Sequence, residues 1–168
     1  LKSLNMASEV RPFNSFNTPR VSQLSQRSNQ FNLRTIRYTE VDIEKMSESA
    51  NFQNFSFTLT DKFGDNGLIC VVVLEKKNKE TLFIDTWFMS CRVLNRGMEN
   101  FSLNVLVGYA KQNGFKNIVG EYIPTAKNSM VKDHFIRLGF NQIEDSTRNL
   151  FNLEVNNYIM KECYITAI

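Results

Sequence analysis

The sequence predicts an α/β domain, a mixed and mostly antiparallel sheet with helices on both faces. Three observations lead there. Between Phe55 and Ser90, strand-length segments alternate or run apolar and are separated by Gly, Asp, Asn and Lys turns. From Gly97 the apolar spacing changes from two to three and four, the mark of an amphipathic helix. At 168 residues the chain has the length of one domain able to bury a real core.

The elements follow in order. Thr18 and Pro19 suit the N-cap and first position of a helix through Arg27. Asn29-Gln30-Phe31-Asn32-Leu33 is polar with two anchors, a pattern whose amides hold loop backbone in place. Thr39 is a second N-cap, followed by the first-turn acids Glu40 and Asp42, for a helix to about Ser49. A three-stranded meander comes next. Phe55–Thr60 alternates, Leu68–Leu74 reads as a strand buried on both faces, and Thr81–Ser90 is the third strand. Met98, Phe101, Val105 and Tyr109 then mark a helix closed by Asn113-Gly114. Residues 117–123 form a short strand, Asn128–Leu138 a helix closed by Gly139, and Phe140 opens the next strand. Arg148–Val155 is a further strand, and 158–168 a last strand or a tail.

Composition excludes several functions. The net charge of +3 is too balanced for a dedicated nucleic-acid binder, and no apolar run approaches the ~20 residues that span a bilayer. Cys70, Cys91 and Cys163 are odd in number and far apart, and His134 is the single histidine. Neither a disulfide framework nor a metal clip can be built from them, so no metal is expected and a reducing, cytoplasmic setting is. From Val10 to Thr39 there are five arginines, Arg11, Arg20, Arg27, Arg34 and Arg37, and no acid. They read either as a solvated face or as a docking surface for phosphate groups or an acidic protein.

Ser90-Cys91-Arg92-Val93-Leu94-Asn95-Arg96-Gly97 joins a strand to a helix N-terminus, where free amides, the helix dipole, Arg92 and Arg96 suit a phosphate or pyrophosphate. Ser90, Cys91, Arg92, Arg96 and Gly97 are therefore the candidate cofactor-binding residues. Asp85 and Glu121 lie on neighbouring strands by the predicted cleft, where the third meander strand splays from 117–123. With Asn128 they are the candidate substrate residues, and partnered structural carboxylates are the alternative. Cys91 reads as a thiol nucleophile or as a packing residue, and no catalytic residue is assigned.

Gly97–Phe140 resembles the core of the GNAT acyltransferase superfamily, in which a Gln/Arg-x-x-Gly-x-Gly/Ala loop cradles the coenzyme A pyrophosphate and a later Asn opens a helix ending in Gly-Phe. Here Asn128 stands eleven residues before Gly139-Phe140. Over Leu24–Phe140 the chain resembles more closely the C-terminal domain of FkbH-like proteins of the HAD superfamily, subfamily IIIC. The residues carrying this are Gln23-Leu24, Asn29-Gln30-Phe31-Asn32-Leu33, Arg37-Tyr38-Thr39, Asp61-Lys62-Phe63-Gly64-Asp65-Asn66-Gly67, Ile84-Asp85-Thr86, Ser90–Leu94 with Arg96-Gly97, and Glu121–Asn128. In that family an N-terminal phosphatase-like domain loads the glyceryl group of 1,3-bisphosphoglycerate onto an acyl carrier protein. Its Asp-x-Asp-x-Thr/Val motif does not occur in this chain.

The resemblance implies residues 1–6 as a linker from an N-terminal HAD-like domain, 7–155 as the GNAT-like domain and 156–168 as an extension. The first residue being leucine agrees with a piece of something longer. It also implies coenzyme A or phosphopantetheine as the ligand, and that HAD-like domain and an acidic acyl carrier protein as partners, without nucleic acid or membrane. An acetyl-CoA-dependent N-acetyltransferase and a structural or dimerising module are the other functions open. Two departures from the GNAT pattern stand out. Aligning the helix puts Leu94, Gly97 and Glu99 on the loop signature, so a carboxylate falls beside the pyrophosphate position, while a shift of two residues puts Arg92, Asn95 and Gly97 there and misaligns the helix. The tyrosine that serves as general acid seven residues after the Asn is Phe135 here, which has no proton to give.

Overall fold

The computed structural model describes residues 1–144 and 147–168. The strands are β1 (Met6–Ser8), β2 (Val10–Arg11), β3 (Phe52–Asp61), β4 (Gly64–Lys76), β5 (Thr81–Met89), β6 (Asn117–Glu121), β7 (Asn141–Gln142), β8 (Leu150–Glu154) and β9 (Ile165–Ala167). The helices are α1 (Thr18–Arg27), α2 (Glu40–Glu48), α3 (Met98–Gln112) and α4 (His134–Arg137). The sheet order is β7-β8-β6-β5-β4-β3-β1-β9, with β2 also on β3. Pairing is antiparallel except for β5 with β6 and β1 with β9. The mixed, mostly antiparallel sheet with helices on both faces is therefore as the sequence predicts.

The sheet has two cores because β4 is apolar on both faces. Val72, Leu74, Trp87, Phe57, Leu103 and Leu106 pack on the α3 side, while Val71, Val73 and Phe88 meet Val21, Leu24, Ile43 and Met46 of α1 and α2. α2 begins as expected. Asp42 N–H donates to Thr39 Oγ1 at 3.1 Å, and Asp42 Oδ2 accepts from Thr39 N–H at 2.9 Å, a reciprocal capping box. These hydrogen bonds hold the Asp42 carboxyl below its ordinary pKa.

Several boundaries differ from the expected ones. Asn17, not Thr18, holds the N-cap position of α1, and its side chain bonds back to Asn14 rather than to the helix amides, the two residues exchanging side chain to backbone hydrogen bonds at 2.8 Å. Met6, placed in a linker by the sequence reading, is 2% exposed and paired to Ile165. Residues 165–167 of the extension complete that sheet edge. The predicted helix Asn128–Leu138 is divided into a 3-10 turn, Ser129–Val131, and the short α4. Asn128 caps nothing, since its amide is used elsewhere.

Gly120 is required by packing. A Cβ there would lie 2.3 Å from Phe135 Cζ, and that ring is held by Phe140 and Phe151. Gly120→Ala is therefore expected to destabilise by about 1–3 kcal/mol through overpacking, read as a lower urea midpoint with an unchanged slope.

Candidate functional site

β5 and β6 pair only over Thr81–Phe83 and Asn117–Val119, then separate. Two parting strands leave rows of N–H and C=O groups that must find partners. The chain supplies them itself. Phe31–Leu33, between α1 and α2, enters the gap: Met89 N–H donates to the Phe31 carbonyl (3.1 Å), Leu33 N–H to the Trp87 carbonyl (3.3 Å) and Ile123 N–H to the Leu33 carbonyl (2.8 Å). Asn32 bridges Phe88 in antiparallel register. Phe31, Asn32 and Leu33 are 3%, 1% and 1% exposed.

Asn128, a predicted substrate residue, fastens this insertion. Its Nδ2 donates to the carbonyls of Asn32 (3.0 Å) and Ile123 (2.9 Å), and its Oδ1 accepts from Thr125 N–H (2.8 Å). Asp85 and Glu121 are brought together, as expected of neighbouring strands, by a residue the sequence did not single out for them. Asp85 is the extra residue of a β-bulge, since Val73 opposes Thr86 and Leu74 opposes Ile84. Its carbonyl accepts from Arg34 Nη1 (2.8 Å), and its carboxylate from Arg34 (3.4 Å) and from the Tyr38 hydroxyl. Arg34 Nε also reaches Glu121 Oε1 at 3.0 Å, while Arg148 grips Glu121 with Nε at 2.7 Å and Nη2 at 3.0 Å. The Arg34 guanidinium lies 5.0 Å from the centre of the Phe83 ring.

Among the described residues, two carboxylates and two guanidiniums meet here. The hydrogen bond from Arg148 comes first among the causes holding Glu121 below its ordinary pKa, with the Arg148 and Arg34 charges adding and burial opposing. Burial, then Asp85, raises the Tyr38 phenol. Neither Glu121 nor Tyr38 is thereby suited to take up a proton near neutrality.

The strand-to-helix loop divides its residues. Gly97 caps α3 with φ +87°, a left-handed conformation that favours glycine. Arg96 turns away to Asp61 (2.8 Å), whose side chain is 4% exposed, and Arg92 Nη2 reaches the Asn66 carbonyl (3.4 Å). Ser90 Oγ accepts within its own turn from Arg92 N–H (3.4 Å). The exposed Cys91 thiol meets Gln30 Oε1 at 3.4 Å. A groove of about 320 Å³ remains beside the α3 N-terminus, at the lower end of the roughly 300–1,000 Å³ usual for ligand sites. Asn95, Gly97, Glu99 and Asn100 form one wall, His134 and Arg137 the other, and Phe31 borders it. Of the five predicted cofactor residues only Gly97 lines this groove. Glu99 does stand in it, where the sequence placed a carboxylate.

His134, the single histidine, is 5% exposed, edge-on to Trp87 at 4.4 Å and to Phe31 at 5.1 Å. Burial, then the Arg137 charge, lowers its pKa to about 3. Phe135, at the general-acid position, is 1% exposed inside the aromatic core. Among the described residues no group of three or more His, Cys, Asp and Glu could hold a metal, and no helix is long and apolar enough to cross a membrane.

Known structures share this architecture. The ribosomal-protein-S18-alanine N-acetyltransferase of Escherichia coli is 13% identical, with a TM-score of 0.63 over 88% of this chain and 94% of that one. An N-acetyltransferase from Staphylococcus aureus Mu50 is 14% identical, with a TM-score of 0.64 over 89% and 99%. The spermidine N-acetyltransferase of Vibrio cholerae, solved with CoA and spermine, is 11% identical, with a TM-score of 0.63 over 90% and 96%. No protein-family model matches the chain, and no curated protein does. The fold is that of the GNAT acetyltransferases.

Two outcomes follow for stability. Glu121→Gln is expected to cost about 3 kcal/mol at pH 7, the scale for removing one partner of a buried ion pair. The native carboxylate titrates below its unfolded value of about 4.3, so its contribution is present above that pH and is lost as pH falls through the native pKa. Urea unfolding at pH 7 and pH 3 should show the two proteins converging in acid. His134 acts in a higher window. Its native pKa of about 3 lies under an unfolded value near 6.5, so stability declines from about pH 6.5 downward. From pH 7 to pH 5 the loss from this group is about 2 kcal/mol, and His134→Leu should remove that slope.

Proposed function

We propose that this chain is a GNAT-fold accessory domain that does not itself transfer acetyl groups. In this reading it is the C-terminal half of an FkbH-like glyceryl-loading protein, and it receives a phosphopantetheine-borne acyl group or its carrier at the groove beside α3. One observation carries the first part: Phe31–Leu33 lies in the opening and takes free backbone groups of β5 and of Ile123, just past β6. A pantetheine arm carries two amides and binds an open strand edge as a peptide does. Here that edge is already paired, so the residues do not fit an arm between the strands.

Other features support the same reading. Phe135 has no proton to donate and is enclosed in the core. Glu99 opposes a pyrophosphate at the groove, and Arg92 and Arg96 are engaged toward the β3–β4 hairpin. The groove keeps Asn95 and Asn100 on its wall, side-chain amides suited to the polar groups of a thioester arm. The similarity to glyceryl-loading proteins rests on the sequence motifs. One of these, Asn29–Leu33, contains the inserted segment.

Coenzyme A release from acetyl-CoA with spermidine or peptide amines is the deciding assay. Release no faster than the protein-free blank is expected, and turnover would favour the N-acetyltransferase reading instead. In parallel, a holo carrier protein bearing a glyceryl thioester should bind more tightly than its apo form. Equal binding of the two, or none, would leave a structural module.

A further inference from the structure

The structure sorts the five arginines of the acid-free stretch into three kinds. Arg34 joins Asp85 and Glu121, and Arg37 donates to the carbonyls of Ser25 (2.6 Å) and Ser28 (2.7 Å), so both are internal braces. Arg11 pairs with Glu9. Arg20 and Arg27 remain on the outer side of α1, and among the described residues neither forms an ion pair with a carboxylate. Arg20 Nη1 donates only to the Gln23 amide oxygen, at 2.8 Å.

Arg20, Gln23 and Arg27 are spaced by three and four residues, a single stripe along α1, and Phe16 stands in the turn just before the helix. The opposite face of α1 is the buried one, with Val21, Ser22, Leu24 and Ser25. Phe16 is 93% exposed. The stripe borders a groove of about 660 Å³ whose lining includes Phe16, Pro19, Leu68, Arg11 and Arg20. Its two acids are engaged: Glu9 by Arg11, and Asp65 by the Gly67 amide at 2.7 Å. A third guanidinium comes from Arg92, which reaches Asn66 beside the groove. Burial, then the charges of Arg92 and Arg27, depresses the Arg20 pKa, so these three cations feel one another.

We propose that this face docks an acidic amphipathic helix of a partner protein, with carboxylates opposite Arg20 and Arg27 and an apolar side chain covering Phe16. Arg20 and Arg27 are two helical turns apart, about 10 Å along the axis, and acids seven residues apart on a partner helix repeat that spacing. Uncompensated cations around an exposed aromatic favour such an occupant over a neutral one. The proposal goes beyond the function given above and does not require the α3 groove to hold any ligand.

The test uses the full chain and a labelled synthetic helix with Glu at seven-residue spacing beside a Leu stripe, read by fluorescence anisotropy. Arg20→Glu with Arg27→Glu should weaken binding by about tenfold or more, and Phe16→Ser by about threefold or more, with melting temperatures unchanged because these side chains are on the surface. Added salt should weaken the complex. Absence of binding would overturn the proposal, as would equal binding of the same helix with Lys in place of Glu. Polyuridylate RNA or phosphatidylserine vesicles binding as tightly as the helix, with no response to Phe16→Ser, would also overturn it, in favour of a general polyanion patch.

Discussion

Two parallel strands that part partway along their length create a demand the whole domain must meet. Every N–H and C=O along the opened edges needs a partner, and a buried one left without costs about as much as a lost hydrogen bond. In this protein the demand is met from within. Phe31–Leu33 pairs to β5 on one side and to the backbone beyond β6 on the other, so the opening becomes part of the sheet. The groove at α3 is bordered by Phe31, the immobility of Asn128 follows from its bonds to Asn32 and Ile123, and the character of the site follows from both.

The charged residues near the opening serve this arrangement. Arg34 directly follows the inserted segment and is fixed by Asp85 and Glu121, which come from the two strands that part. The bulge at Asp85 frees a carbonyl that Arg34 uses, so a local irregularity of β5 becomes an attachment point. Arg148 adds a second guanidinium to Glu121. Both carboxylates are engaged, Glu121 by two guanidiniums and Asp85 by Arg34 and the Tyr38 hydroxyl. The α3 N-terminus meanwhile faces a groove that its own Glu99 partly neutralises.

A GNAT fold therefore does not by itself imply GNAT chemistry. The opened β5 edge, Phe135 and the guanidiniums of Arg92 and Arg96 are each turned to internal contacts. The groove beside the α3 N-terminus and the outer side of α1 are open to solvent.

Much of this was legible in the chain itself. Alternation in Phe55–Thr60, the doubly apolar run at Leu68–Leu74 and the change of period at Gly97 are local signals, and they yield the meander, α3 and the fold class because such patterns depend only on which faces are buried. Thr39 and Asp42 state the start of α2 for the same reason, their bonds being three residues apart. The absence of a proton donor at Phe135 and the carboxylate at Glu99 were also readable, as residue identities need no structure. The short edge strand β1 was not, since three residues carry no period, and β9 was one of the two readings of 158–168. Nor was the fate of Arg34, whose partners are 51 and 87 residues away. The sequence marked Asn29–Leu33 as a segment whose amides hold backbone. Only the tertiary structure decided which backbone, because the gap it fills exists only once β5 and β6 have come together and parted.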